Sequence, residues 1–188
     1  AKNFKIEIPR NTRPLTDRMK VRIFDVLGSD IANKSVLDLY AGAGSFALEA
    51  LSRGAKEATL VDASKQGNII IQRNVAHTGF LPQADVIKSK VEDFIQKYKE
   101  SDKTWDIIFM DPPYKLYNTK RVEKMERIIN DASSLLPGVK NPKTKKFKGA
   151  FIIKHPKRYP IDKLNLKYIK RVDTYEFGLN SISLYIVK

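Results

Sequence analysis

Four apolar residues, Ile107-Ile108-Phe109-Met110, run straight into Asp111-Pro112-Pro113-Tyr114. By length and bulk the apolar run is a buried strand. The prolines end it, because neither can donate to a sheet ladder and Pro113 pushes Pro112 into extended geometry. The backbone therefore leaves the sheet with its carbonyls as acceptors, and a carboxylate and an aromatic ring flank a rigid step. The bland alternative is a turn that caps a strand. A substrate that needs such a step is an exocyclic amino group on a flat base. Its lone pair is delocalised into the ring, and it becomes nucleophilic when a carboxylate oxygen and a backbone carbonyl accept its two N–H bonds while an aromatic ring stacks on the base.

Around that run the chain alternates strand and helix. Phe4-Lys5-Ile6-Glu7-Ile8 alternates like a short strand, and Pro9 and Pro14 bracket a basic linker, so residues 1–15 are expected to precede a single domain over 16–188. Thr16 is a natural N-cap and Asp17 suits the positive end of a helix, along which Met19, Ile23, Val26 and Leu27 recur before Gly28. Residues 35–40 read as the first core strand and residues 58–61 as a second that ends in Asp62. A helix over 65–78, with Ile69, Ile70 and Val75 inward, leads to a third strand over 84–88. Val91, Phe94, Ile95 and Tyr98 mark the next helix and residues 105–111 the fourth strand, after which Asn118 caps a helix reaching Leu136. Residues 137–148 read as a basic loop, 149–154 as a strand, and 168–175 with 183–187 as a closing hairpin. This pattern predicts an α/β doubly wound sheet with ligands beyond the carboxyl ends of its strands.

Ala41-Gly42-Ala43-Gly44-Ser45 joins the first strand to a helix that Gly54 closes. Gly42 permits a tight turn and Gly44 a close backbone approach to a ligand, whose polar groups meet the unpaired N–H groups of the helix N-terminus. Gly42-x-Gly44-x-x-Ala47 would also satisfy a dinucleotide fingerprint. Asp62, placed for ribose hydroxyls, is shared by NAD and S-adenosyl-L-methionine (SAM) enzymes; its bland reading is a helix cap. Asp38 lies inside a strand that otherwise reads as buried, where an unpaired carboxylate is costly, so it should have a cationic or N–H partner.

A net charge of +14 over 188 residues predicts a polyanionic partner, and without a long apolar segment that partner is nucleic acid, not membrane. Arg13, Arg18 and Arg22 form one basic group; Lys143, Lys145, Lys146 and Lys148 a second; Lys157 and Arg158 a third. With Phe147 and Tyr159 interleaved these suit phosphate contacts plus stacking, although a charge run is more often a solvated face. The lack of cysteine removes disulfides and thiolate chemistry and fits a reducing, cytoplasmic setting. With only His77 and His155, no metal site or histidine triad is expected. No signal peptide is visible, and a monomer is expected.

Asp111-Pro112-Pro113-Tyr114 resembles the catalytic motif of the amino-group methyltransferases, which use SAM to methylate adenine N6, cytosine N4 or guanine N2. The resemblance implies that Asp111 and the Pro112 carbonyl orient the amine and that Tyr114 stacks on the base. The run Val36-Leu37-Asp38-Leu39-Tyr40-Ala41-Gly42-Ala43-Gly44 is similar to the SAM-binding motif. It implies cofactor contacts from Asp38, near the methionine part, from Tyr40, Ala41, Gly42, Gly44 and Ser45, and from Asp62 and Ala63. Glu92 or Asp93 would meet the adenine, with Lys90 a departure at that turn.

Arg13-Pro14-x-Thr16-Asp17-Arg18, the SAM loop, Leu51-Ser52-Arg53-Gly54-Ala55, the Asp-Pro-Pro-Tyr tetrad and Tyr175-x-Phe177-Gly178 occur in that order. The whole chain thus resembles the bacterial 16S rRNA guanine-N2 methyltransferase family, the RsmD type. That resemblance implies a class I methyltransferase fold with a mostly parallel seven-stranded sheet, its last strand antiparallel between its neighbours. It also implies SAM as cofactor and ribosomal RNA, in the small subunit or an assembly intermediate, as partner. The segment before Ile6 and the extended lysine loop depart from the family pattern. Two alternatives stay open. A DNA adenine-N6 or cytosine-N4 methyltransferase shares both motifs but commonly needs a target-recognition region for which no segment is spare. A non-enzymatic RNA-binding or ribosome-assembly module would explain the charge and leave Asp111 to Tyr114 unexplained.

Overall fold

The structure, a computed structural model, describes residues 5–8, 17–120, 122–144 and 147–188. Contacts group the chain into two compact units, Ala1–Val91 and Glu92–Lys188.

In the first unit β1 (Ser35–Leu39), β2 (Glu57–Asp62) and β3 (Ala84–Lys88) are parallel, with β2 in the middle: Leu37 lies opposite Thr59 and Leu60 opposite Val86. Parallel neighbours need crossovers, supplied here by α2 (Ser45–Ser52) and α3 (Lys65–His77). The runs Val36–Leu39 and Ala58–Val61 are wholly buried, as continuous apolar strands covered on both faces should be.

α1 (Asp17–Leu27) buries Met19, Ile23, Phe24 and Leu27. Val26, expected inward, is exposed; the buried arc is turned toward Phe24, which stacks on Phe46 of α2 at 5.1 Å. Gly28, at a left-handed φ of 50°, ends the helix as expected, and a short 3-10 turn to Ile31 follows. On α3 the expectation for Ile69 is likewise wrong. It is exposed on the side opposite Gly67, Ile71 and Val75, and Ile70 and Ile71 are the buried pair.

The strand expected over 4–8 is absent from residues 5–8. Instead the Glu7 amide donates to Asn74 Oδ1 and the Asn74 amide donates to the Glu7 carbonyl, both at 2.8 Å, so one side chain substitutes for a strand partner. Phe4, the linker with Arg13, and the Thr16 cap lie outside the described residues.

In the second unit β4 (Ile107–Met110) pairs in parallel with β5 (Ala150–Pro156), Ile108 facing Phe151. β7 (Asn180–Val187) is antiparallel to both β5 and β6 (Ile169–Phe177) and lies between them. β6 and β7 extend further toward each other than expected and are joined by Gly178 and Leu179, with Gly178 at φ 59° as a two-residue hairpin requires. Phe94 and Tyr98 on α4 (Val91–Lys99) cluster with Trp105, whose ring lies 5.6 Å from Phe94 and 5.3 Å from Tyr98.

β4 is shorter than expected, leaving Trp105 and Asp106 outside it. Asn118 does not cap a long helix: its Oδ1 accepts from the Lys120 amide at 2.8 Å in a local turn, and α5 begins at Val122 and ends at Ser133. The basic segment after it opens as a helical turn, α6 (Pro137–Lys140). Lys140 Nζ reaches the carbonyls of Tyr98 and Lys99 at 3.0 and 3.1 Å, where the C-terminal end of α4 attracts a cation. Among the described residues no helix is long and apolar enough to cross a membrane.

Candidate active site

At the carboxyl end of β1 the chain turns sharply. Tyr40 has φ 61°, a left-handed value uncommon outside glycine, and Gly42 and Gly44 follow at 60° and 76°. A Cβ on Gly44 would lie 2.9 Å from Leu60 Cδ2, so only glycine lets α2 start this close to β2. The turn is pinned by main-chain bonds from Ala41 to the Val61 carbonyl at 3.0 Å and from Gly44 to the Ala41 carbonyl at 2.7 Å.

Asp62 serves this turn. Its Oδ2 accepts from the Gly42 amide at 2.9 Å and its Oδ1 from the Ser64 amide at 2.8 Å. It is not the cap of α3, because Ser64 is: Ser64 Oγ accepts from the Gly67 amide at 3.1 Å. Asp38 is buried with Oδ2 3.2 Å from the Ala47 amide in the first turn of α2, the N–H partner expected of it, at the positive end of a helix. Asn68 donates to the carbonyls of Asp62 and Ser64, both at 2.8 Å, and Asn74 to that of Ala43 at 2.9 Å. Neither asparagine is apparent as a support from the linear motif. Ser45 is half-buried and Ala63 exposed.

At the carboxyl end of β4, Asp111 meets a cation that sequence reasoning did not identify. Lys154 Nζ, in the carboxyl-terminal half of β5, lies 3.0 Å from Asp111 Oδ1 and 2.8 Å from Oδ2. The lysine side chain is 7% exposed and the aspartate 24%. Burial pushes the Asp111 carboxyl above the ordinary carboxylate range, while the Lys154 charge and hydrogen bonds pull the other way. Pro112 is buried and Pro113 exposed, with φ −61° and ψ 144° as an extended step needs. Tyr114 follows in a 3-10 turn and is 45% exposed, and its hydroxyl donates to Asn180 Oδ1 at the start of β7. The aromatic ring is thus both available and tethered. The signal for Lys154 was present in the sequence: it is the one charge closing the apolar run Phe151-Ile152-Ile153, in a strand beside the one that ends in Asp111.

Next to Lys154, His155 is buried. Its Nδ1 lies 3.0 Å from the Pro156 carbonyl, which can only accept, so Nδ1 carries the proton. Nε2, 2.9 Å from Ser183 Oγ, then accepts from that hydroxyl, and Thr174 Oγ1, 2.8 Å away, donates to Ser183. Burial pushes the imidazole pKa below its ordinary value.

The remaining expected residues fare unevenly. Glu92 is 3.9 Å from Lys124 of α5, facing a cleft with Ile95 and Arg127, and Asp93 is exposed. Arg18, Arg22, Lys143, Lys148 and Arg158 are exposed, as cations that contact phosphate must be. Lys157 is exposed too but sits 2.6 Å from Glu176. Lys145 and Lys146 lie outside the described residues, as does Arg13. Tyr159, expected to stack on bases, is buried and packs edge-on against Tyr117 at 4.9 Å, so its ring belongs to the core.

The sequence profile of the family described as conserved hypothetical protein 95 matches residues 1–185. Among curated relatives, a ribosomal RNA small subunit methyltransferase D of Buchnera aphidicola is 32% identical over 104 residues, 55% of this chain and 53% of its own length. The chain therefore spans about half the length of that relative. Among solved structures, the candidate methyltransferase yhhF of Escherichia coli superposes with a TM-score of 0.75 at 22% identity, covering 97% of this chain and 91% of its own. SMU.776, a candidate methyltransferase solved with S-adenosylhomocysteine (SAH), gives 0.71 at 17% identity over 91% of this chain and 49% of its own. These likenesses show the fold: the α/β, mostly parallel, doubly wound class I methyltransferase architecture expected from the sequence.

Proposed function

The chain belongs to the conserved hypothetical protein 95 family, the RsmD type of methyltransferase, and from that premise we propose that it methylates the exocyclic N2 amine of a guanine in small-subunit ribosomal RNA. The observation that carries the proposal is Asp111, a partly open carboxylate at the end of β4, followed by the rigid Pro112-Pro113 step and the tethered, exposed ring of Tyr114.

SAM fits the residues of the first unit. Each Asp62 oxygen accepts one backbone N–H, which leaves further lone pairs for ribose hydroxyls. Gly44 lets α2 begin close against β2, Ser45 opens that helix, and the Asp38 carboxylate reaches its first turn from β1. When bound there, SAM supplies a sulfonium methyl as electrophile. Asp111 and the Pro112 carbonyl accept the two N–H bonds of the target amine, which turns its lone pair out of conjugation, and Tyr114 stacks on the base. No strong base is required, since the nitrogen becomes very acidic once alkylated. The target must be unstacked or lie in a loop to reach such residues. Exposed Arg18, Arg22, Lys143, Lys148 and Arg158 supply phosphate contacts, and the protein acts as a monomer in the cytoplasm, where ribosomal RNA is modified.

The test is incubation with labelled SAM and, separately, small subunits, large subunits, free ribosomal RNA and DNA, followed by mapping of the modified base. Label on guanine N2 of small-subunit RNA supports the proposal. Label on DNA, on another base, or on no nucleic acid overturns it.

A further inference from the structure

The Asp-Pro-Pro-Tyr motif asks for a carboxylate and says nothing of a cation beside it, yet Lys154 holds both oxygens of Asp111. The placement follows from the ladder. Met110, the last residue of β4, pairs with Ile153 of β5 in parallel register, and Asp111 and Lys154 each follow next in the chain. Lys154 is itself fixed on several sides. It pairs with Ile182 on β7, its carbonyl accepts from the Tyr117 hydroxyl, and Tyr117 is backed by Tyr159. The following residue, His155, is locked between the Pro156 carbonyl and Ser183.

A buried lysine is costly unless it is paired, and this one is spent on a single carboxylate. A grip on both oxygens consumes one lone pair of each and leaves acceptor capacity for an amine N–H. It also fixes the plane of the carboxylate, whose terminal torsion is otherwise broad. A carboxylate with an ammonium against it is, in addition, a weaker proton acceptor than an isolated buried one.

Granting the amine methylation proposed above, we propose that Lys154 is a positioning residue for methyl transfer, holding Asp111 ionised and in one plane. Asp111 then acts as hydrogen-bond acceptor and not as proton sink. As the nitrogen–methyl bond forms, the carbon–sulfur bond breaks with its electron pair on sulfur, leaving a neutral thioether. The proton shed by the alkylated nitrogen passes to water.

The test is the pH profile of single-turnover methylation of ribosomal RNA, with SAH affinity measured alongside by calorimetry. In Lys154→Gln the acid limb should move to higher pH by about 1 to 3 units, the range for losing a neighbouring opposite charge. The rate should recover on the alkaline side with SAH affinity unchanged. Lys154→Arg, which keeps the charge, should hold the limb at its wild-type position. A limb that stays put in Lys154→Gln, or a loss of rate equal at every pH, overturns the proposal. Should Lys154→Gln fail to fold, Lys154→Arg decides: a displaced limb in that variant is equally fatal. A wild-type protein with no methyltransferase activity would sink the functional reading itself, whereas an active wild type with unmoved limbs sinks only the role of Lys154.

Discussion

The Gly42 amide donates to Asp62 Oδ2 at 2.9 Å, so the carboxylate that ends β2 also clamps the glycine turn that ends β1. On the proposed reading, cofactor contact and loop geometry are coupled through this one side chain. Asp62→Ala should weaken SAH binding by about 1–3 kcal/mol, as expected when a carboxylate's hydrogen bonds are lost. Asp62→Asn, which keeps one acceptor oxygen, should lose less. Calorimetry against SAH and NAD checks both; equal affinity for NAD, or an Asp62→Ala protein that binds normally, contradicts the assignment.

Gly44→Ala should be costly although it adds one carbon. Its φ of 76° is unfavourable for an L side chain, and the new Cβ would stand 2.9 Å from the buried Leu60 Cδ2. Together these predict a loss of about 1–3 kcal/mol in urea unfolding. A loss below a few tenths of a kcal/mol would mean the turn relaxes freely.

Tyr114 is tethered through its hydroxyl to Asn180. Asn180→Ala should therefore weaken capture of the target base by part of the roughly 1–3 kcal/mol that Tyr114→Ala removes with the stacking ring. Titration of RNA in the presence of SAH measures this. If Asn180→Ala equals wild type while Tyr114→Ala is impaired, the tether has no functional role.

His155 gives a pH signature to folding. Its folded pKa is depressed from the ordinary 6.5 by burial first, with the Arg171 charge adding and the Pro156 hydrogen bond opposing. The unfolded chain thus takes up a proton that the folded one resists. Stability is full above about 6.5 and declines as pH falls below it. Protonation would also put an N–H against Ser183, forcing that hydroxyl and Thr174 to reverse. Urea midpoints between pH 8 and pH 5 should fall with acid in the wild type, and His155→Gln should flatten the slope.

Much of this could be read from the sequence because apolar runs, glycines and prolines act locally. β1 from Ser35 and the boundaries of β3 match the expectation, and Asp38 has the N–H partner that its burial demanded. What failed depends on choices the local pattern leaves open. Val26 and Ile69 are apolar at helical spacing, yet neighbouring Phe24 and Ile71 took the core positions, because which arc faces inward is decided by the packing partner. Residues 5–8 alternate like a strand but found a side-chain amide in Asn74. Tyr159 looked like an RNA contact by composition but is in the core, and Lys140, in the segment that read as a basic loop, caps α4. Lys154 carried only a faint signal, as the one charge closing an apolar run, and Asn180 none, since their roles come from strand order, which brings together residues 43 and 66 positions apart in the chain.

The most direct test is single-turnover methylation by Asp111→Ala, run beside independent titrations of SAH and ribosomal RNA. If this carboxylate orients the target amine, its interaction is made chiefly as the nitrogen rehybridises, so its loss falls on the rate and not on binding. The prediction is a fall of about 10² to 10³ in the rate of methyl transfer, with both affinities near wild type. Transfer at close to the wild-type rate, or SAH binding lost in proportion to activity, would contradict the account and leave Asp111 a structural partner of Lys154.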